Sequence, residues 1–375
     1  YIDARSGIST GDNNRFYRCW FECKKKDIAF DCKNTPENSE YKWFPIIRGG
    51  EYRKWYGNME NVLNLRNDGF EIRTSGNNYR LRTPEFYNKL GITWNRISSR
   101  DVSFRIKTEQ VNFGENSPCM FVNKDCIYDL MGFLNSKVAK ALLEYINSTM
   151  TYQVIDIQSI PYINEHDDRI EKLVKECIEI EKIDWDSFEK SWDFIEHPFI
   201  KHGKSIEYGF NNWKIECKQR FDKIKQNEEK INEILIEKYN LQKCINATVE
   251  DEDITIRLAD EKKDLKSFIS FGIGCILGRY AVKENAKDKS YVSAVNNILP
   301  FTEEEYFEED VVKEFQRWLV SIYGLEKLEE NMEYIARILG GKGSSVEILR
   351  NYFINDFFKD HCSSYTVTSV GKRPI

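Results

Sequence analysis

Over the first 165 residues hydrophobic and polar positions alternate in short runs. Beyond that point the hydrophobic positions recur at helical spacing. Period two appears in FYRCWFEC from Phe16, in VLNLRNDGFEIR from Val62 and in DVSFRIKT from Asp101, as expected of strands. Turn residues punctuate them at Gly11–Asn14, Asn67–Gly69, Gly76–Asn78 and Gly114–Asn116. A single helix is expected from near Asp125, with Leu130, Phe133, Leu134, Val138, Ala141 and Leu142 on its apolar stripe. From about Asp167 the period changes. Ile170, Leu173, Val174, Cys177 and Ile180 predict one amphipathic helix. Phe210, Trp213, Cys217, Phe221, Ile224, Ile231, Ile234 and Leu235 predict a longer one over about 206–239. The pair should pack antiparallel, joined by the aromatic connector DWDSFEKSWDFIEHPFI. Another helix is expected to begin at Thr302–Glu305, where carboxylates suit a helix N-terminus. The expected fold class is α+β: an irregular β-rich domain over 1–165, a long antiparallel helical spacer over 166–245 and a mostly helical C-terminal domain over 246–375.

Composition supports real cores, with 41% hydrophobic and 14% aromatic residues among 375. The formal net charge is −6, yet thirteen Lys/Arg and six Asp/Glu between Lys42 and Lys107 make that stretch +7. The rest then carries −6 − 7 = −13. One basic module inside an acidic protein is the footprint of a nucleic-acid-facing surface, and DNA contact is expected there and not on the acidic tail. Ten cysteines occur without a C-x-x-C, and no histidine precedes His166, so no metal site is assigned. Free thiols buried in a reducing, cytoplasmic setting account for them better. No apolar run reaches the roughly 18 residues of a membrane span. The opening YIDARSGIST has no secretory pattern and reads as the interior of a longer protein.

The densest chemistry lies in Lys42–Asn58, KWFPIIRGGEYRKWYGN. Lys42, Arg48, Arg53 and Lys54 could meet phosphates or base edges, and Trp43, Phe44, Tyr52, Trp55 and Tyr56 offer stacking faces. Gly49 and Gly50 would let backbone approach a ligand. The alternative is a twisted hairpin whose rings are simply buried. Elsewhere no G-x-S-x-G, H-E-x-x-H, Walker loop or strand-borne G-x-G-x-x-G occurs, and no catalytic residue is assigned.

Several long motifs carry a resemblance. GISTGDNNRF at Gly7–Phe16 is similar to the G-I/L-x-T-G-x-N-x-x-F run that opens the target-recognition domain of many adenine-specific DNA methyltransferases. Lys42–Asn58, GITWNRISS at 91–99, DWDSFEKSWDF at 184–194, SFISFGIGCILGRY at 267–280 and NYFINDFFKDH at 351–361 resemble, in order, the methyltransferases of BREX phage-defence systems. The matches cover the whole chain. They imply an enzyme that methylates adenine N6 from S-adenosylmethionine. The Asn/Asp-Pro-Pro-Tyr/Phe tetrapeptide of that chemistry and its glycine-rich cofactor loop are missing here. The resemblance therefore points to the DNA-recognising part, with no cofactor of its own and S-adenosylmethionine serving the parent enzyme.

Double-stranded DNA is the implied partner, with other phage-defence proteins beside it and no membrane. Candidate contacts are Thr10, Asn13, Asn14, Lys42, Arg48, Arg53, Lys54, Trp55, Arg66, Arg73, Arg80, Arg82, Arg96, Arg100 and Arg105. Thr10, Asn13 and Asn14 fit a backbone-contacting loop and equally a capped turn closing on Phe16. The specificity region of a fused restriction–modification enzyme, a protein-binding scaffold and a DNA mimic remain the alternatives.

Overall fold

The computed structural model describes residues 3–30, 40–98, 100–123, 126–280 and 298–365. The chain is α+β, and its strands are short. They are β1 Asp3–Arg5, β2 Tyr17–Cys19, β3 Trp43–Ile47, β4 Asn61–Asn64, β5 Gly91–Trp94, β6 Phe104–Lys107, β7 Asn112–Phe113 and β8 Cys119–Phe121. One sheet has the order β1-β8-β5-β6 and is antiparallel, with Ile92 opposite both Ile106 and Met120. The other has the order β2-β4-β3-β7, in which β3 and β7 run parallel. Every residue of β4, β5 and β6 is buried, so these strands are covered on both faces. β1 and β2, by contrast, keep partly exposed positions.

Two of the alternating runs break early. After β2 the chain turns through a 3-10 helix at Trp20–Glu22. After β4, Asn67, Asp68 and Gly69 take left-handed φ of 52°, 53° and 70° before a helical turn that ends at Arg73.

The helix expected from near Asp125, itself outside the described residues, is two helices. Calling Asn13–Phe16 α1 and Arg66–Arg73 α2, these are α3 Ile127–Leu134 and α4 Lys137–Ile146. Ser136 caps α4 by accepting the Ala139 N–H, and Asn135 bonds both backbone groups of Phe104 at 3.0 Å. Those two side chains give the chain a reason to stop and restart.

The short α5 Val154–Gln158 leads to α6 Asp168–Asp186 and the 33-residue α7 Ile206–Lys238, which is about 50 Å long. They pack antiparallel. Lys238 pairs with Glu165, while Asn227 and Lys223 both reach Glu176. The apolar stripe of α7 is divided. Phe210, Trp213 and Cys217 join a core with α8 Glu261–Ile276, α9 Val311–Tyr323, α10 Leu328–Leu339 and α11 Ser345–Tyr352. Ile231, Leu235 and Ile236 join the core of the first sheet and α3. A π-helical turn links α11 to α12 Phe358–Ser364.

Thr302–Glu305 does not begin a helix. α9 starts after Asp310, which caps the Val312 N–H and takes a bidentate fork from Arg350 at 2.6 and 2.9 Å. A cap already paired inside the core outcompetes an exposed acidic run. Nine cysteines among the described residues are free thiols, and burial pushes Cys19 and Cys119 up to about 12. Cys32 lies outside the described residues. No helix among the described residues is long and apolar enough to cross a membrane.

Candidate nucleic-acid interface

β3 and β4 form a hairpin whose long loop, residues 48–60, carries the glycine–aromatic–basic motif. Gly49 and Gly50 have φ of 102° and 142°, and a Cβ on Gly50 would lie 2.5 Å from the Asn58 side chain. The loop then runs along the edge of β6. Trp55 donates its N–H to Phe104 C=O and accepts from Ile106 N–H, each at 2.9 Å. Trp55 takes a left-handed φ of 65° to do so.

This course turns four of the expected contacts inward. Arg53 Nη2 lies 2.7 Å from Glu181 and 2.9 Å from Asp184, and its guanidinium covers the Trp185 ring at 5.2 Å. Burial opposes its charge, but those two carboxylates outweigh burial and hold Arg53 above its ordinary value. Lys54 is buried and paired with Glu228, which also accepts the Trp55 indole N–H at 2.8 Å. Arg105 is fully buried and donates to Arg53 C=O at 3.0 Å and Asn95 Oδ1 at 2.6 Å. Burial, aided by the field of Arg53, pushes Arg105 down to about 9. Arg53, Lys54, Trp55 and Arg105 therefore leave the set that DNA can reach in this arrangement. Their partners stand just after β5 and on β6, α6 and α7. A buried cation is tolerated only where such partners wait.

The outward-facing candidates gather where sequence-remote turns meet. Ile8 N–H donates to Phe113 C=O at 3.0 Å, and Glu115 N–H returns to Ile8 C=O at 2.9 Å. Ser9 and Arg80 exchange both backbone bonds, at 3.0 and 2.7 Å. A Cβ on Gly7 would sit 2.1 Å from Phe113 O, and one on Gly11 2.9 Å from Asn77. The glycines of the first motif are thus required for packing turn against turn. Thr10 is buried and donates its hydroxyl to Asn13 Oδ1 at 2.9 Å, while Asp12 caps the Arg15 N–H. The capped turn is what forms, and it presents Asn13 and Asn14 to solvent.

Beside that turn stand three half-buried arginines. Arg48 lies over the Tyr17 ring at 4.5 Å. Arg82 Nη1 is 3.2 Å from Ser6 Oγ and 4.0 Å from Glu115, and Arg96 Nη1 is 3.5 Å from Glu115. Arg80 is exposed next to them. The structure does not bring every candidate here. Arg66 and Arg73 are exposed on the turn after β4, with Arg73 tied to Asp68 at 2.7 Å. Arg100 is exposed over the Tyr52 ring at 5.4 Å, and Lys42 lies over Trp43 at 5.3 Å. Sequence reasoning missed Asn77, Asn78 and Glu115, having read them as turn punctuation. It also missed the exposed Arg15, which lies inside the Gly7–Phe16 motif next to Asn14.

A cleft of about 810 Å³ separates the 48–60 loop from α8 and α12. Cations on its wall are largely spoken for: Lys190 faces Glu60, Arg257 pairs with Asp264 and Lys266 with Asp360. His166, Asp168 and Glu171 bring ligand atoms within 4.8 Å of one another. Both ring nitrogens are engaged, by Asp129 at 2.8 Å and Asp168 at 3.0 Å, which describes an ion-paired imidazolium. His197 is buried against Phe199 and Phe268.

No family model matches the chain. It is similar along its whole length to the adenine-specific methyltransferase PglX of Lacticaseibacillus casei (strain Zhang). The two are 33% identical over 402 aligned residues, which cover 100% of this chain and 33% of that protein. The adenine-specific methyltransferase BrxX of Escherichia coli O9:H4 (strain HS) is 30% identical over 419, covering 99% of this chain and 33% of that protein. The chain thus spans about a third of the length of the curated relatives it matches. Matched from end to end at this level, the chain is similar to about a third of each of these adenine-specific methyltransferases.

Proposed function

We propose that this chain is the DNA-recognising part of an adenine-N6 DNA methyltransferase of a phage-defence system, and that it performs no methyl transfer itself. The observation that carries this reading is the meeting of the Gly7–Phe16, Gly76–Arg82, Arg48–Gly50 and Gly114–Ser117 turns. They gather arginines and asparagines on one end of the two-sheet region. Arginine forks suit phosphates and guanine edges, and exposed amides suit adenine edges or backbone. A base-modifying enzyme must flip its target and tolerate its neighbours, so sequence choice is well delegated to a surface several base pairs away. α6 and α7, packed with Trp55, Tyr56 and Met59 of the 48–60 loop into the core of the first sheet, would fix the reach of that surface. S-adenosylmethionine is not assigned to these residues, because the chain contains neither the adenine-clamping tetrapeptide nor the glycine-rich loop.

Fluorescence anisotropy with a labelled duplex at 50 and 200 mM salt tests the reading. A DNA reader binds and weakens steeply as salt rises. A protein-only scaffold, or a DNA mimic, shows no binding at either concentration.

A further inference from the structure

We infer that Glu115 acts as a surrogate phosphate, occupying Arg82 and Arg96 until a DNA phosphodiester displaces it. It thereby penalises loose, non-specific binding. The inference rests on the DNA-reading role proposed above. Glu115 is placed by backbone and not by side-chain choice. Its N–H is bonded to Ile8 C=O, and the turn is closed by Ser117 N–H to Gly114 C=O at 3.1 Å. From that position its carboxylate reaches both guanidinium groups.

The contacts it makes are loose. At 3.5 and 4.0 Å they exceed the 2.7–2.9 Å or so of a good charge-assisted bond. One carboxylate faces two arginines, with Arg48 on the neighbouring strand end. A donor is left over: Arg96 Nε is buried without a hydrogen-bond partner. A spare donor on an arginine beside an under-bonded carboxylate describes a site whose better ligand has more acceptor oxygens and more reach. A phosphodiester supplies two charged oxygens on an extended backbone. All three side chains remain about a third exposed, so the exchange needs no unfolding.

The sign follows from charge. Glu115 repels DNA and competes for its arginines, so removing its charge should strengthen binding to any duplex. On a random-sequence duplex, E115Q in the 375-residue chain should bind roughly three- to tenfold tighter than wild type. Its salt dependence should steepen by about one unit of slope as an extra phosphate contact forms. R82A/R96A in the E115Q background should abolish the gain. Circular dichroism checks the fold, with E115S as a second variant if E115Q is unstable. Unchanged or weaker binding by a folded variant overturns the inference. Shifts of the Arg96 side-chain NMR signals with inorganic phosphate but not with duplex overturn it too, because the site then takes free phosphate. Absence of DNA binding by wild type is a different result, and defeats the DNA-reading role itself.

Discussion

Trp55 donates its indole N–H to Glu228 at 2.8 Å, across 173 residues of chain, and the same carboxylate is paired with Lys54. The most basic and aromatic run of the sequence is thus fastened to the middle of α7. Breaking this arrangement leaves a charge buried alone. K54A strands Glu228 and should cost about 3–5 kcal/mol of stability. W55F, which deletes one N–H and keeps most of the ring, should cost about 1–2 kcal/mol. Guanidinium denaturation measures both, and a K54A protein as stable as wild type would show that the pair is not formed.

Gly57 should tolerate no side chain. Its φ is +119°, and a Cβ would lie 2.6 Å from Arg53 Nε and 2.9 Å from the Trp185 ring. G57A should destabilise by about 2–4 kcal/mol, combining backbone strain with overpacking. Gly76 also has positive φ, +75°, but faces open space. G76A should cost only about 1 kcal/mol. Equal thermal shifts for the two variants would contradict the packing of the loop on α6.

Replacing Arg48, Arg53 and Lys54 together is a poor probe of DNA contact, because two of the three support the fold. The triple variant R48A/R82A/R96A should stay folded, bind duplex DNA more weakly and lose about one unit of salt slope for each phosphate it held. R66A/R73A should change less, since those side chains lie on a different turn. Anisotropy titrations over a range of salt decide the matter. An unaltered slope in the folded triple variant moves the recognition surface elsewhere.

Two histidines should give stability opposite pH limbs. His166 is raised to about 8 by its bonds to Asp129 and Asp168. Its folded value exceeds the unfolded 6.5 or so, so its contribution is full below that and fades as pH rises through about 8. Burial, with the field of Arg257, lowers His197 to about 3, and its Nδ1 accepts the Phe199 N–H as a neutral ring. The unfolded chain gains a proton below about 6.5 that the folded chain refuses, so stability falls with pH from there. The two contributions therefore meet near pH 6.5, and urea unfolding of wild type and variants between pH 5 and 9 reads them. H166Q should flatten the alkaline limb only.

The purified chain should transfer no methyl group to DNA when S-adenosylmethionine is added. Scintillation counting of duplex incubated with labelled cofactor checks this. Incorporation above a boiled control contradicts it.

Much was legible in local pattern. Helical spacing located α6 and placed α7 within a residue of its observed ends, because a long amphipathic stripe serves one purpose over many turns. Turn chemistry found Gly11–Asn14 and Gly114–Asn116, since the glycines and small polar residues that turns favour are written in residue identity. The glycines of the Gly7–Phe16 motif have a related reason: a Cβ on Gly7 or Gly11 would come within 2.1–2.9 Å of neighbouring groups. The split between α3 and α4 was not legible, because Asn135 stops the first helix by bonding Phe104, thirty-one residues earlier.

By itself the sequence determined that an α+β chain would place its basic charge in one stretch and its long helices in another. Only the tertiary structure decided which of those charges face outward. Arg48 and Arg53 are five residues apart in one motif and look alike on paper. One is half-exposed over Tyr17, and the other is enclosed by Glu181 and Asp184. The enclosure of Arg53 depends on carboxylates from another element that offset its desolvation, and those partners lie some 130 residues away along the chain.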